Sequence, residues 1–335
     1  MFKNPPCLLL TAAAFLAGAG HGAAATTYTY APIIVPGALQ TNPAALNASG
    51  TVTGVWYDQE FNSYGFFYKA GKITTFDYPK SQGTTPYGIN SAGEIVGTYL
   101  DASYTQHGFT YRLTTGGKAV FTSVDFPGTT RGTGLDAIDT KGILYGVSYD
   151  SSGSQEIFGL TNKAFTTLVD GNTPVPLGFS DNGAFAGYFA GAVFGDPTTA
   201  FVFQNATLTT LPLPKGATQA AAYWVNDRGV VVGESQSASG TYSGFEYSAG
   251  KITSVNKPGA VSTLLKGINY SGVVVGIAYD ANYNTTSFTY SGGKFTAIAM
   301  PGGADTSAQA INLKGMITGT YYDANGQETF LATPQ

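Results

Sequence analysis

Cysteine and histidine are almost missing from this chain. Its 335 residues hold one cysteine, Cys7, and two histidines, His21 and His107. Cys7 and His21 both fall within residues 1–25, where Lys3, an apolar run from Leu8 to Leu16 and small residues ending in HGAAA form the pattern of a secretory signal peptide rather than a membrane span. Once it is removed, residues 26–335 have no cysteine and one histidine, which excludes disulfides and cysteine chemistry. Any histidine-based nucleophile activation would have to rest on His107. Charge is scarce too: 11% of residues carry it, with 16 Lys and Arg against 20 Asp and Glu. The formal charge of −4 becomes one unit more negative when Lys3 leaves. No basic block or stripe occurs, so nucleic acid is not an expected partner. No later apolar segment approaches membrane length, and the expectation is export to the periplasm or the extracellular space.

Glycine (45 residues), tyrosine (22) and phenylalanine (21) are plentiful, as many short strands and tight turns require. They are also periodic. A block reading small residue, hydrophobic, Asn, two variable residues, Gly recurs with its closing glycine at Gly50, Gly93, Gly142, Gly183, Gly229, Gly272 and Gly315. Asp139 and Ser180 replace the Asn in the third and fourth copies. Four residues later comes a second glycine in every copy: Gly54, Gly97, Gly146, Gly187, Gly233, Gly276 and Gly319. A phenylalanine follows at Phe66, Phe109, Phe158, Phe201, Phe245, Phe288 and Phe330. A period of 41 to 49 residues belongs to blade-type repeats.

Each copy reads as four short strands, rich in Thr, Val, Ile, Tyr and Phe and punctuated by Gly, Asn and Pro. No window carries a helical stripe. A proline closes the fourth strand at Pro79, Pro127, Pro214, Pro258 and Pro301, and Asp170-Gly171 stands in once. The last copy lacks this segment, whereas YTYAPIIVPG at residues 28–37 precedes the first copy and matches GKFTAIAMPG at 293–302. These observations predict an all-β chain: a seven-bladed β-propeller of four-stranded antiparallel blades, one domain over 26–335, with a strand at about 27–36 completing the C-terminal blade and closing the ring.

The blocks resemble the HAF repeats of probable bacterial extracellular proteins. GINSAGEIVGTYLDASYTQHGFTYR carries the fullest match, with His107-Gly108-Phe109 at the triplet that names the repeat. The histidine is replaced in the other six copies by Tyr64, Glu156, Thr199, Ser243, Thr286 and Glu328. The resemblance covers nearly all of 26–335 and implies an extracellular repeat protein; it brings no catalytic or ligand set.

Two groups of residues are candidates for a site. Loops between second and third strands begin with Asp58, Asp101, Asp150, Asp280 and Asp323 in copies one, two, three, six and seven, preceded by Tyr57, Tyr149, Tyr279 and Tyr322 in four of them. Copies four and five break that pattern. Tyrosine faces and carboxylates suit sugar recognition, while an Asp opening a turn also bonds its own backbone. The second group lies on the innermost strand. The position two before the turn is small in six copies and Trp224 in the fifth, and the residue ahead of it is polar at Tyr87, Asp136, Tyr223, Lys266 and Gln309. Trp224 either lines the channel mouth or fills a gap between unequal blades.

The loop DANYN places Asp280, Asn282 and Asn284 at alternate residues as calcium loops do, though its later positions depart from EF-hand spacing. Calcium is thus the one cofactor the sequence raises, and no zinc or phosphate-binding pattern occurs. The expected function is a secreted, non-catalytic propeller binding a carbohydrate or an extracellular protein partner. The competing expectation is a polysaccharide hydrolase or lyase using Asp, Glu and Tyr from several blades, which requires two carboxyls facing each other across a pocket.

Overall fold

The computed structural model describes residues 26–335 except 130, 172 and 192–195; the expected signal peptide lies outside the described residues. All regular structure among the described residues is β, in 28 strands. Repeat one pairs Gln40–Leu46, Val52–Tyr57, Ser63–Lys69 and Lys72–Phe76 as an antiparallel meander. Repeat two does the same with Gly83–Ile89, Ile95–Leu100, Gln106–Leu113 and Ala119–Val124, and the pattern continues along the chain. In the last repeat the first three strands are Ala304–Ile311, Ile317–Asp323 and Gly326–Pro334, and the fourth is Tyr28–Ile33. The register of that pair runs from Tyr28 opposite Pro334 to Ile33 opposite Thr329.

The repeated glycines and phenylalanines have one joint cause. Every first strand carries a β-bulge, at which one residue is skipped in the pairing with the second strand. The bulge drives a first-strand carbonyl against the second strand. A Cβ on the second-strand glycine would collide with that oxygen in all seven repeats: Asn42, Thr85, Gly134, Val175, Ala221, Leu264 or Ser307. Directly across from that glycine on the third strand sits the repeat phenylalanine, as in Gly54 opposite Phe66 and Gly276 opposite Phe288. All seven phenylalanines are fully buried, each stabilising by about 2–3 kcal/mol. Bulge, glycine and ring therefore form one packing device, repeated seven times.

Neighbouring repeats meet at their first strands. At Gly88, Gly178 and Gly267 an added Cβ would press on the backbone of the following repeat's first strand, which explains why this position is small. The turn asparagines do the joining. Asn47 Nδ2 donates to the Asn90 carbonyl, Asn226 to Asn269, Asn269 to Asn312, and Asn312 to Asn47, so the relay passes from the last repeat to the first. Where Asp139 and Ser180 stand instead, Thr140 donates to the Asp181 carbonyl and Asn182 to Asp227. A cavity of 60 Å³ is lined at once by turn residues of repeats one, four, five, six and seven, among them Leu46, Ser180, Asn226, Asn269 and Asn312. The N-terminal segment shares their core: Ile33 and Val35 cluster with Val52, Phe66 and Leu331.

Candidate functional site

The bulge selects the candidate site residues. The skipped residues are Ala44, Tyr87, Asp136, Leu177, Tyr223, Lys266 and Gln309. Five of them are the polar innermost-strand positions picked out by sequence. A residue freed from the ladder by a bulge can aim its side chain away from the sheet, and here two groups form.

The first group surrounds Asp136. Its Oδ2 is sealed from solvent and has no hydrogen-bond partner, and burial pushes the carboxyl up to about 7. Tyr87 and Tyr149 lie close enough for the Asp136 charge to add to the effect of burial in raising both phenols. The second group is built on Tyr223. Lys266 Nζ stands 3.6 Å from the Tyr223 ring centroid, a cation–π contact, and 3.8 Å from Glu234 Oε2. Burial outweighs their attraction on both sides, raising the Glu234 carboxyl and lowering the Lys266 ammonium. Glu234 Oε2 is also buried without a hydrogen bond. Tyr223 is raised mainly by burial and then by Glu234.

A cavity of 220 Å³ opens between repeats four and five beside this second group, its lining including Tyr188, Gln219, Tyr223, Glu234, Gln236 and Tyr242. The side chains of Gln219 and Gln236 are hydrogen bonded to each other. Glu234 and Tyr188 were not singled out by sequence, yet a signal existed. They occupy the position after the second-strand glycine, which is Val55, Thr98, Val147, Ile277 and Thr320 elsewhere and is buried in those repeats. Two large polar residues in adjacent repeats, where the others hold Val, Ile or Thr, mark the seam beside this cavity.

The remaining candidates lie apart. Trp224 packs on the cluster of Val232, Leu265 and Val274 and also borders the 60 Å³ cavity. No hydrogen bond or ion pair joins Gln309 to either group among the described residues. The turn-opening aspartates bond their own loops. Asp58 Oδ1 accepts from the backbone N–H of Glu60 and Asn62, Asp101 from Ser103 and Thr105, Asp150 from Ser152 and Ser154, and Asp280 from Asn282 and Asn284; Asp323 accepts from Asn325. Hydrogen bonds from the side chains of Asn62, Ser152 and Asn284, and then these backbone bonds, hold the Asp58, Asp150 and Asp280 carboxyls below the usual range. In the DANYN loop, Asn284 Nδ2 also donates to Asp280 Oδ2, so N–H groups occupy both carboxylate oxygens. Among the described residues no three His, Cys, Asp or Glu side chains cluster as metal ligands. His107 lies between Asp125 and Asp101, its Nδ1 2.6 Å from Asp125 and its Nε2 3.4 Å from Asp101, and stacks on Tyr99.

No protein-family model matches the chain, and no curated protein matches it in sequence. Solved structures do match in shape. The β-propeller domain of the Trilobed protease from Pyrococcus furiosus aligns with a TM-score of 0.61 at 7% identity, over 88% of this chain and 94% of that one. A Mycobacterium tuberculosis puromycin-hydrolyzing peptidase aligns at 0.60 and 10%, over 91% of this chain but 54% of its own. A Pyrococcus horikoshii acylaminoacyl peptidase aligns at 0.54 and 10%, over 77% and 47%. The chain spans about half the length of the two peptidases. At such identities the likeness is one of fold, and the fold is a β-propeller.

Proposed function

We propose that this chain is an exported, non-catalytic carbohydrate-binding protein of the HAF-repeat kind: a seven-bladed propeller, closed by its N-terminal strand, that holds a sugar between blades four and five. The ring reading is supported by the Asn312 to Asn47 bond and by the pairing of Tyr28–Ile33 with Gly326–Pro334. Both join the last repeat to the N-terminal part of the chain.

One observation carries the functional reading. The 220 Å³ cavity has the share of about seven waters of bulk liquid, which suits a pyranose ring. Its lining combines three tyrosines, two amides and the carboxyl-bearing Glu234. A sugar offers hydroxyl groups that hydrogen bond with these polar side chains and apolar C–H faces for the tyrosine rings. Glu234 is the one carboxylate among the lining residues, and Lys266 is its counterion. A general acid and base pair would need a second carboxyl across the cavity, so the geometry favours retention over turnover.

The test is calorimetry of residues 26–335 against a panel of mono- and oligosaccharides, together with assay of newly formed reducing ends. Binding without product is expected, weakened about 10- to 100-fold by Glu234→Gln, the range for a hydrogen bond to a charged group. Product formation, or a Glu234→Gln protein that binds as tightly as the parent, would overturn the proposal.

A further inference from the structure

Every repeat builds a type of turn in which the backbone N–H of the fourth residue reaches the carbonyl of the first, and that fourth residue has positive φ. Between first and second strands the fourth residue is glycine in all seven repeats, Gly50 through Gly315, at φ of 76° to 89°. Between second and third strands, at the opposite end of the sheets, repeats three and five again use glycine, Gly153 and Gly240. Repeats one, two and six use Phe61, Tyr104 and Tyr283 instead, at φ of 64°, 61° and 62°. Bulky side chains are outliers in this region. These three gain no packing in return, being 69%, 70% and 83% exposed, and no ring contact involves them among the described residues.

A strained backbone holding an exposed ring marks a binding surface rather than a folding requirement. The three turns share one end of the molecule, and repeats six, seven, one and two pack successively on one another, so the rings lie along a single arc. We infer that Phe61, Tyr104 and Tyr283 form an aromatic platform that stacks on the sugar rings of an extended, uncharged polysaccharide. The charge pattern selects this partner. The loops DQEFN, DASYT and DANYN carry Asp58, Glu60, Asp101 and Asp280 and no Lys or Arg, which disfavours anionic lipid headgroups and nucleic acid. Ring faces present negative charge density to the C–H faces of pyranoses. The platform is separate from the cavity at Glu234 and does not depend on it.

The experiment measures depletion of residues 26–335 from solution by microcrystalline cellulose, chitin and insoluble β-1,3-glucan, using the parent and Phe61→Gly/Tyr104→Gly/Tyr283→Gly proteins, with small-sugar calorimetry run on both. The expected result is retention of the parent on at least one polymer, weakened at least 10-fold in the triple-glycine protein. The melting temperature of the triple variant should equal or exceed the parent's, because glycine relieves the positive φ. The inference is overturned by full retention of the triple variant, by no retention on any polymer, or by a lower melting temperature, which would make the rings part of the core. A change from dimer to monomer on sedimentation would overturn it as well, assigning the rings to self-association. Failure of the cavity proposal would instead appear as loss of small-sugar binding with polymer retention intact.

Discussion

The two ends of the sheets are made from the same turn and treat it in opposite ways. At the end joining first and second strands, glycine is invariant across repeats and the turn asparagine ties four of the turns to the next unit, Asn47 to Asn90 and Asn226 to Asn269 to Asn312 to Asn47. At the other end, the opening Asp bonds only within its own repeat, and the positive-φ position holds Gly153 and Gly240 but also Phe61, Tyr104 and Tyr283. Uniformity marks the end that assembles the repeats. Departure from the cheapest residue marks the end with something else to do.

The largest effect should come from the device that makes the repeats alike. In Gly276→Ala the new Cβ would meet the Leu264 carbonyl and the Phe288 ring, neither of which moves without disturbing the bulge. The expected cost exceeds about 4 kcal/mol, read as loss of cooperative unfolding or of soluble protein; Gly153→Ala, in a turn at the other end, should cost about 1 kcal/mol. Equal losses would erase the distinction between a strand glycine packed under the bulge and a glycine that only closes a turn.

The asparagine relay sharpens the same comparison. Asn226 and Asn312 each donate to the next repeat and accept from two backbone N–H groups of their own turn. Replacement by Ala removes all three bonds and should cost about 2–4 kcal/mol. In a closed ring the seam at Asn312 is equivalent to the interior contact at Asn226, so denaturant unfolding should give the two variants costs within about 1 kcal/mol of each other. A much smaller loss at Asn312 would mean that the first and last repeats are not held as the others are.

Asp136 stands between the ends, and its predicted effect depends on pH. Its folded carboxyl titrates near 7 against about 3.9 when unfolded, so between these values the folded protein keeps a proton that the unfolded chain has lost. Stability attributable to this group therefore falls as pH rises from about 4 to 7, by an upper bound of about 4 kcal/mol. Asp136→Asn should melt like the parent at pH 4 and well above it at pH 8. Parallel melting curves across that range would show that Asp136 titrates as an ordinary surface carboxyl.

Much of this was legible in the sequence because each anchor answers a backbone demand that recurs. The glycine at 54, 97 and onward has a carbonyl against it in every repeat, and repetition exposed it. The four strands of repeat two and the terminal strand at Tyr28–Ile33 follow from the same periodicity. The polar residues Tyr87, Asp136, Tyr223, Lys266 and Gln309 were visible as exceptions on an otherwise small and apolar strand. That they are all bulge residues was not visible, since a bulge is a relation between two strands. Glu234 and Tyr188 lie on second strands, where a departure becomes visible only once the repeats are aligned through the second glycine. Phe61, Tyr104 and Tyr283 read as ordinary loop aromatics until their φ values set them beside Gly153 and Gly240.

The smallest effect belongs to His107, the one described histidine, which ties an Asp-opened turn to a neighbouring strand. Burial disfavours its charged form, but Asp125 and Asp101 prevail and raise its pKa above the usual value of 6.5. The stabilisation from this cluster is therefore fully present below the unfolded value and is lost as pH rises through the folded one, above 6.5. His107→Gln should lower the melting temperature by about 1–2 °C at pH 5.5, since partly exposed ion pairs contribute little, and the gap should close by pH 8.5. Repeats one and six, where Tyr64 and Thr286 stand in its place, keep the same turn without it. A gap that persists at pH 8.5 would assign His107 to packing on Tyr99 rather than to charge.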